Sequence, residues 1–269
     1  MSPDQIMNIL LVAAVAAFGL IAGSFLNVVI YRVPRRESIV LPASHCPVCA
    51  HSLTAQDNIP VLSYLFLKGR CRYCGAGISK QYPLVEAVAA LIFVTSLLKY
   101  GLTPAFFPAV FFLLVLLSVS VIDIEHLIIP NVIVLPAIAI AALQIPLFAL
   151  TKLDNVSLMD QAYWLWPIVG FLIGGGLLFL LALIWPNGMG GGDIKLAALM
   201  GLFLGRYVIV ALFLGFLLGS VGGITAMSLF GKSRKDLIPF GPYLAGGSLI
   251  ALYAGAPLVS WYLNISGLG

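Results

Sequence analysis

Two aspartates lie where carboxylates are costly. Asp193 follows three consecutive glycines, Gly190, Gly191 and Gly192, and is followed by Ile194 and Lys195. The stretch Asn187–Lys195 separates two long apolar runs. Glycine frees the backbone and lets another chain approach closely. An ionisable residue at a membrane edge marks a functional site by default. A helix cap is the equal alternative, with Asp193 accepting the first free N–H groups of a helix beginning at Ile194. Asp123 ends another apolar run. Two facing carboxylates cannot both ionise cheaply, so they share a proton and titrate together. One can then take a proton from water while the other donates to a carbonyl oxygen, which is the logic of amide hydrolysis by aspartic proteases.

The four cysteines, Cys46, Cys49, Cys71 and Cys74, form two C-x-x-C pairs in one polar segment. Four thiolates suit tetrahedral Zn²⁺, and a reducing cytosol keeps them available. A fully sulfur-ligated ion has no open position for water, so the metal is read as structural, holding a loop too small to build its own core. Lys68, Arg70 and Arg72 are placed to offset the formal charge of about minus two on such a centre. A redox pair, or His45 or His51 in place of a cysteine, remains open.

Other ionisable residues are less decided. Glu125 and His126 lie beside Asp123 and are read as supporting or solvated groups. Glu86 sits among apolar residues after Gln81-Tyr82-Pro83. It either neutralises an internal arginine or lines a cavity. There is no H-E-x-x-H, no phosphate loop after a strand and no G-x-G-x-x-G in a βαβ setting. Nothing here points to nucleotide or nucleic acid.

Helices must position these groups. With 61% hydrophobic and only 9% charged residues, the chain is too apolar for an ordinary soluble domain. Several runs reach the roughly 20 residues that a bilayer requires. The reading is an all-α polytopic membrane protein of about eight transmembrane helices, with a small cytoplasmic zinc-binding loop domain after the first. The boundaries are a helix over 1–31, the cysteine domain over 32–81 and a membrane domain over 82–269. The first run carries Asp4 and is too long for a signal h-region, so it is retained.

The loop from Arg32 to about Gln81 carries Arg32, Arg35, Arg36, Lys68, Arg70, Arg72 and Lys80 against Glu37 and Asp57. It is therefore cytoplasmic, and the N-terminus is outside. Further helices are predicted at about 83–99, 105–122, 130–150, 162–185, 194–204 and 207–230, then one at the C-terminus, which ends outside. Pro130 is taken as lying early in its helix. Thr151–Asp160 is an external loop, and Gly231–Asp236 is internal. This path brings Asp123 and Asp193 to the cytoplasmic face at matching depth. Only Lys99, Lys152 and Arg206 fall outside. The helix over 194–204 is short for a span. No internal repeat is evident.

In order along the chain stand Gly23-Ser24-Phe25-Leu26-Asn27-Val28, the two cysteine pairs, Tyr82-Pro83-Leu84-Val85-Glu86, Asp123 six residues before Ile129-Pro130, Gly190-Gly191-Gly192-Asp193-Ile194-Lys195, and Pro239-Phe240-Gly241-Pro242. Together they resemble the bacterial type IV prepilin peptidases, the prepilin leader peptidase/N-methyltransferases of the GxGD intramembrane aspartic protease family. The resemblance implies Asp123 and Asp193 as the catalytic pair, with Gly190, Gly192, Lys195, Glu125 and Glu86 in supporting roles.

It also implies a multi-pass protein of the bacterial inner membrane with its active site facing the cytoplasm. Such enzymes remove the basic leader of prepilins or pseudopilins after a glycine. Bifunctional members then N-methylate the new terminus with S-adenosylmethionine. The substrates serve type IV pili or type II secretion. Two positions depart from the pattern. Asn131 stands where many relatives are acidic, and Glu125 where aspartate is frequent. A different class, a proton- or cation-coupled transporter using Asp123, Asp193 and Glu86, would favour carboxylates staggered across the bilayer. A third reading is an assembly protein whose zinc loop docks a partner.

Overall fold

A computed structural model describes residues 2–151, 165–185, 188–230 and 238–267. The chain divides into two compact units, Met1–Leu102 and Thr103–Gly269.

The first unit is a pair of long helices, α1 (Pro3–Arg32) and α3 (Gln81–Tyr100), joined by the polar cysteine segment. That segment holds a 3₁₀ turn (Ala55–Asn58) and a short helix, α2 (Leu62–Phe66). Ser2 and Gln5 start α1 by exchanging side-chain and backbone hydrogen bonds at 3.3 and 2.9 Å, with Pro3 in the first turn. The two long helices touch where α1 lacks side chains. A Cβ on Gly19 or Gly23 would lie 2.6 Å from the Cα of Ala90 or Glu86. The Asn27 side chain donates across this seam to the Tyr82 carbonyl at 3.0 Å.

The cysteine segment contains a repeat that its sequence conceals. Cys46 N–H donates to the His51 carbonyl and Ala50 N–H to the Cys46 carbonyl. Twenty-five residues on, Cys71 N–H donates to Ala76 and Gly75 N–H to Cys71. The bridges His45–Ser52 and Arg70–Gly77 keep the same offset. Ala50 and Gly75 both take positive φ, 56° and 72°. Beyond the cysteines almost no residue is shared between the copies, so the backbone shows a repeat where the side chains did not.

The second unit contains α4 (Phe106–His126), α5 (Asn131–Thr151), α6 (Leu165–Ile184), α7 (Gly191–Leu204), α8 (Val208–Phe230) and α9 (Gly241–Ser266). These helices are apolar all round, as expected where lipid is the solvent. Leu172, Phe179 and Phe213 point outwards, each more than half exposed. Burial is deepest on α4 and α7, whose Phe112, Ile122, Leu196 and Met200 are fully enclosed, whereas α6 is buried only along a narrow stripe of small residues. On α6 the buried positions are Gly170, Gly174 and Leu178, one helical turn apart. A Cβ on Gly201 of α7 would collide with the Gly170 carbonyl oxygen, and one on Gly174 with that of Ala197. Gly247 on α9 meets the backbone of Ala211 and Gly215 on α8 in the same way. Between helices in a bilayer such close backbone approach replaces the hydrophobic drive available in water. Phe112 of α4 stacks on Phe203 of α7 with centroids 4.6 Å apart.

Among the described residues, six helical stretches are long and apolar enough to cross a membrane, and Gly191–Leu229 counts among them as one stretch of 39 residues. Gly205 breaks it with φ 53° and ψ −127°, and one 3₁₀ turn, Gly205–Tyr207, connects α7 to α8. Asn131–Pro146 of α5 is a shorter apolar helix.

Two local expectations change, and a third falls outside the described residues. Pro130 precedes α5, and its carbonyl accepts the N–H groups of Ile133 and Val134. A proline N-terminal to a helix loses no intrahelical bond. The helix bearing Asp193 starts at Gly191 rather than Ile194, so two of the three glycines are helical. Helix starts are the least fixed feature of a hydropathy pattern. The expected loops at Thr151–Asp160 and Gly231–Asp236 lie outside the described residues, apart from Thr151 itself.

The α6–α7 seam gives a direct test. Gly201→Ala should lower the thermal midpoint in detergent, consistent with an overpacking cost of about 1–3 kcal/mol. Gly176→Ala, whose added Cβ meets nothing within 4 Å, should melt no lower than the parent protein.

Candidate active site

Asp123 lies in the last turn of α4 and is buried. Its Oδ2 accepts the Gly241 N–H at 2.8 Å, and the Phe240 N–H also donates to the carboxylate. These two donors open α9, so the carboxylate sits on the positive end of a helix. An added Cβ on Gly241 would fall 2.9 Å from Oδ2, so glycine there leaves room for the carboxylate. Leu127 ends α4 with φ 54° and donates its N–H to the Asp123 carbonyl at 2.9 Å.

Asp193 is the third residue of α7 and half-buried. Its Oδ2 accepts the Gly190 N–H at 3.1 Å. It therefore caps the helix from inside, reaching back to the residue before it, and not from the position ahead of Ile194. One such bond leaves acceptor capacity on the carboxylate, so capping does not remove the residue from chemistry.

Two contacts hold this turn against the end of α4 and the start of α5. A Cβ on Gly192 would lie 2.7 Å from that of Ile129, so the absent side chain admits the Ile129–Pro130 segment. Lys195 Nζ donates to Asn131 Oδ1 at 2.8 Å, joining α7 to the start of α5. The charge of Asp123 acts on Asp193. The two aspartates are thus near enough for the charge of one to act on the other, and Gly190, Gly192 and Lys195 stand around the second.

The remaining candidates have partners of their own. Glu125 and His126 are side by side at the exposed end of α4, Oε2 to Nε2 3.8 Å. Glu86 is in the first unit, buried, and accepts the Val61 N–H at 2.7 Å with Ser24 as a further donor. Its observed work is to tie the cysteine segment to the α1–α3 pair.

The four cysteine sulfurs lie within 4.8 Å of one another, and the cluster includes neither His45 nor His51. The Sγ atoms of Cys46 and Cys74 are 3.9 Å apart. Tetrahedral bonds of about 2.3 Å require sulfurs roughly 3.8 Å apart, so this donor set fits a metal ion. The N–H groups of Cys49 and Val48 aim at the Cys46 sulfur and hold its thiol down at about 6, near the thiolate form that a metal needs. Arg72 does not serve as a counter-charge here. Its Nε pairs with Asp57 at 2.7 Å, and Asp57 also accepts from Thr54 at 2.7 Å and from the Tyr73 hydroxyl at 3.0 Å. These donors, Thr54 foremost, hold Asp57 below the usual carboxylate range.

Sequence reasoning overlooked three roles. Pro239-Phe240-Gly241-Pro242 looked like a helix start, but nothing said that its amides face a residue 118 positions earlier. Asp57 was counted only as a negative charge, and Arg32 only as a positive one. Arg32 is buried and donates to the carbonyls of Ser38 and Pro42 at 2.9 and 2.7 Å, closing the loop after α1.

The fold and site define a multi-pass membrane protein with two interacting carboxylates at helix ends and a separate four-thiol cluster. Residues 17–100 match the bacterial peptidase A24 N-terminal domain, and residues 110–224 match the type IV leader peptidase family. The chain is 36% identical over 250 residues to a prepilin leader peptidase/N-methyltransferase of Bacillus subtilis, covering 93% of this chain and 96% of the relative. Proteins of the same name from Aeromonas salmonicida and Pseudomonas aeruginosa are 36% and 34% identical, with at least 92% of each chain covered. The chain belongs to the type IV leader peptidase family. No solved structure matches it.

Gly241 provides a sharp check on the placing of Asp123. Gly241→Ala should lower peptidase turnover roughly ten- to a hundredfold, because the carboxylate must move by a fraction of an ångström. The KM for substrate should change little and the helical circular dichroism not at all.

Proposed function

We propose that this protein is a leader peptidase that cleaves type IV prepilins or pseudopilins after a glycine and then N-methylates the new terminus. The peptidase reading is supported by the placing of two carboxylates within electrostatic range of each other, Asp123 held on the opening amides of α9 and Asp193 on Gly190. The names of the relatives support the substrate class and both activities. One carboxylate takes a proton from water as the oxygen attacks the scissile carbonyl carbon. The other donates to the carbonyl oxygen. Collapse of the tetrahedral intermediate breaks the C–N bond, and the amine leaves with a proton from the pair. A helical peptide bond is shielded, so the substrate unwinds locally before attack. S-adenosylmethionine would supply the methyl group. That half of the activity rests on the relatives' names and is assigned to no residue.

Eight membrane-crossing helices suit this reading. The Gly191–Leu229 stretch is broken at Gly205 into α7, about 21 Å long, and α8, about 34 Å, so in this reading α8 spans a core of about 30 Å and α7 crosses where the bilayer is locally thin. In this reading the basic cysteine segment and the helix ends that carry the aspartates face the cytoplasmic side of the inner membrane, with both termini outside. In this reading Zn²⁺ fills the four-thiol cluster as a structural ion, and Gly190, Gly192 and Lys195 support Asp193. Glu125 and Glu86 also take supporting roles in this reading. The transporter alternative, which uses Asp123, Asp193 and Glu86, predicts ion flux in liposomes and no cleavage of a prepilin.

Purified protein with a synthetic prepilin and S-adenosylmethionine tests the proposal by mass spectrometry. The parent protein should release the leader and leave a product heavier by one methyl group. Asp123→Asn and Asp193→Asn should each stay folded and lose at least roughly a thousandfold in cleavage. Cleavage by either variant at the parent rate would remove that residue from the mechanism.

The metal reading has its own assay. Elemental analysis should find one zinc ion per chain, and Cys71→Ser should lose it. Chelation should then expose residues 43–80 to protease while leaving the helices intact. A metal-free parent with the same protease resistance would contradict it.

A further inference from the structure

We propose that the turn from Ile59 to Lys68 is a membrane-surface elbow, whose apolar side chains enter the boundary between lipid headgroups and acyl chains and whose basic flank faces anionic phosphates. The inference rests on α1 and α3 crossing the bilayer and is independent of the peptidase reading.

The first observation is exposure. The five residues of α2 are too few to hold a helix in water without packing. Yet Leu62, Leu65 and Phe66 turn outwards, with Phe66 82% exposed, and Ile59 is also exposed. The side chain of α2 that packs inward is Tyr64, whose hydroxyl lies against Gly69. A run of apolar groups on one side of so short an element needs a cover.

The second observation is depth. Val61, the residue before α2, donates its N–H to Glu86, and Ser24 of α1 reaches the same carboxylate. Glu86 is five residues inside α3, and Ser24 is eight residues before the end of α1. At about 1.5 Å per residue these anchors are roughly 8 and 12 Å inside the helix ends. The elbow therefore begins alongside the spanning helices, not beyond them. Phe25 and Leu84, next to these levels on α1 and α3, are exposed apolar residues as well. Interfacial elements bury their apolar face about 5–10 Å into the headgroup and acyl boundary.

The third observation is charge. Lys68, Arg70 and Lys80 are exposed. Among the described residues no carboxylate forms an ion pair with any of them, and Asp57 is taken by Arg72. Basic residues beside an apolar surface element match the chemistry of an anionic leaflet, where each contributes about 1 kcal/mol.

The test uses the full chain in nanodiscs containing phosphatidylglycerol. Phe66→Trp places a fluorophore on the elbow, with the signal of the four native tryptophans subtracted using the parent protein. Val48→Trp, in the exposed part of the first cysteine turn, serves as the control. Brominated acyl chains should quench the added indole of Phe66→Trp by roughly half, as expected for a ring within the acyl boundary. Acrylamide should quench the added indole of Val48→Trp and spare that of Phe66→Trp.

Quenching of the Phe66→Trp indole by acrylamide and not by bromine would overturn the proposal. Insensitivity to both would also overturn it, because a protein surface, a second copy or a substrate, would then be the cover. Hydrogen exchange of the unsubstituted protein reads the same property. Amides 59–68 should exchange more slowly in phosphatidylglycerol nanodiscs than in purely zwitterionic ones, and equal rates would remove the basic flank from the argument.

Discussion

The second unit is arranged around one hydrogen-bonded charge. Asp123 is buried at the end of an apolar helix, where a bare carboxylate would be prohibitively costly. It is tolerable because the opening amides of α9 point at it. That requirement fixes where α9 begins and why position 241 has no side chain. A helix N-terminus left without partners in lipid would be costly too, so the carboxylate and the amides satisfy each other.

The same economy of side chains sets the position of the second aspartate. Gly192 admits Ile129, and Gly170 and Gly201 let α6 and α7 meet backbone to backbone. In lipid there is little hydrophobic gain from bringing helices together, so contact must come from dispersion between closely packed backbones. α7 is held laterally by this seam and at its start by Lys195 on Asn131. A reaction that depends on two carboxylates at a fixed separation benefits from placing both on helix ends locked by packing rather than on free loops.

The cysteine segment follows a different physics. It has little core of its own, and its order comes from backbone hydrogen bonds, one buried arginine and a network around Asp57. Two equivalent turns, 25 residues apart, present four sulfurs to one point. Glu86 then fastens the segment to the long helices through a backbone amide. Arg72, which looked like a counter-charge to the metal, is a partner of Asp57.

The sequence by itself determined the apolar helices, the separate polar segment, the two cysteine pairs and the pair of aspartates. Each is a local signal: hydropathy over about 20 residues, C-x-x-C spacing, or a charge at the end of an apolar run. The family was legible as well, because its motifs stand in order along the chain. Tertiary structure alone decided which groups meet. The Gly241 amide reaches Asp123 across 118 positions, and no periodicity records such a contact. The 25-residue repeat was hidden because it consists of backbone bonds and a shared positive φ at Ala50 and Gly75, which unlike side chains satisfy equally. The glycine seams were hidden for a related reason. A missing side chain carries no hydropathy signal, and its purpose appears only when a second backbone occupies the space it leaves.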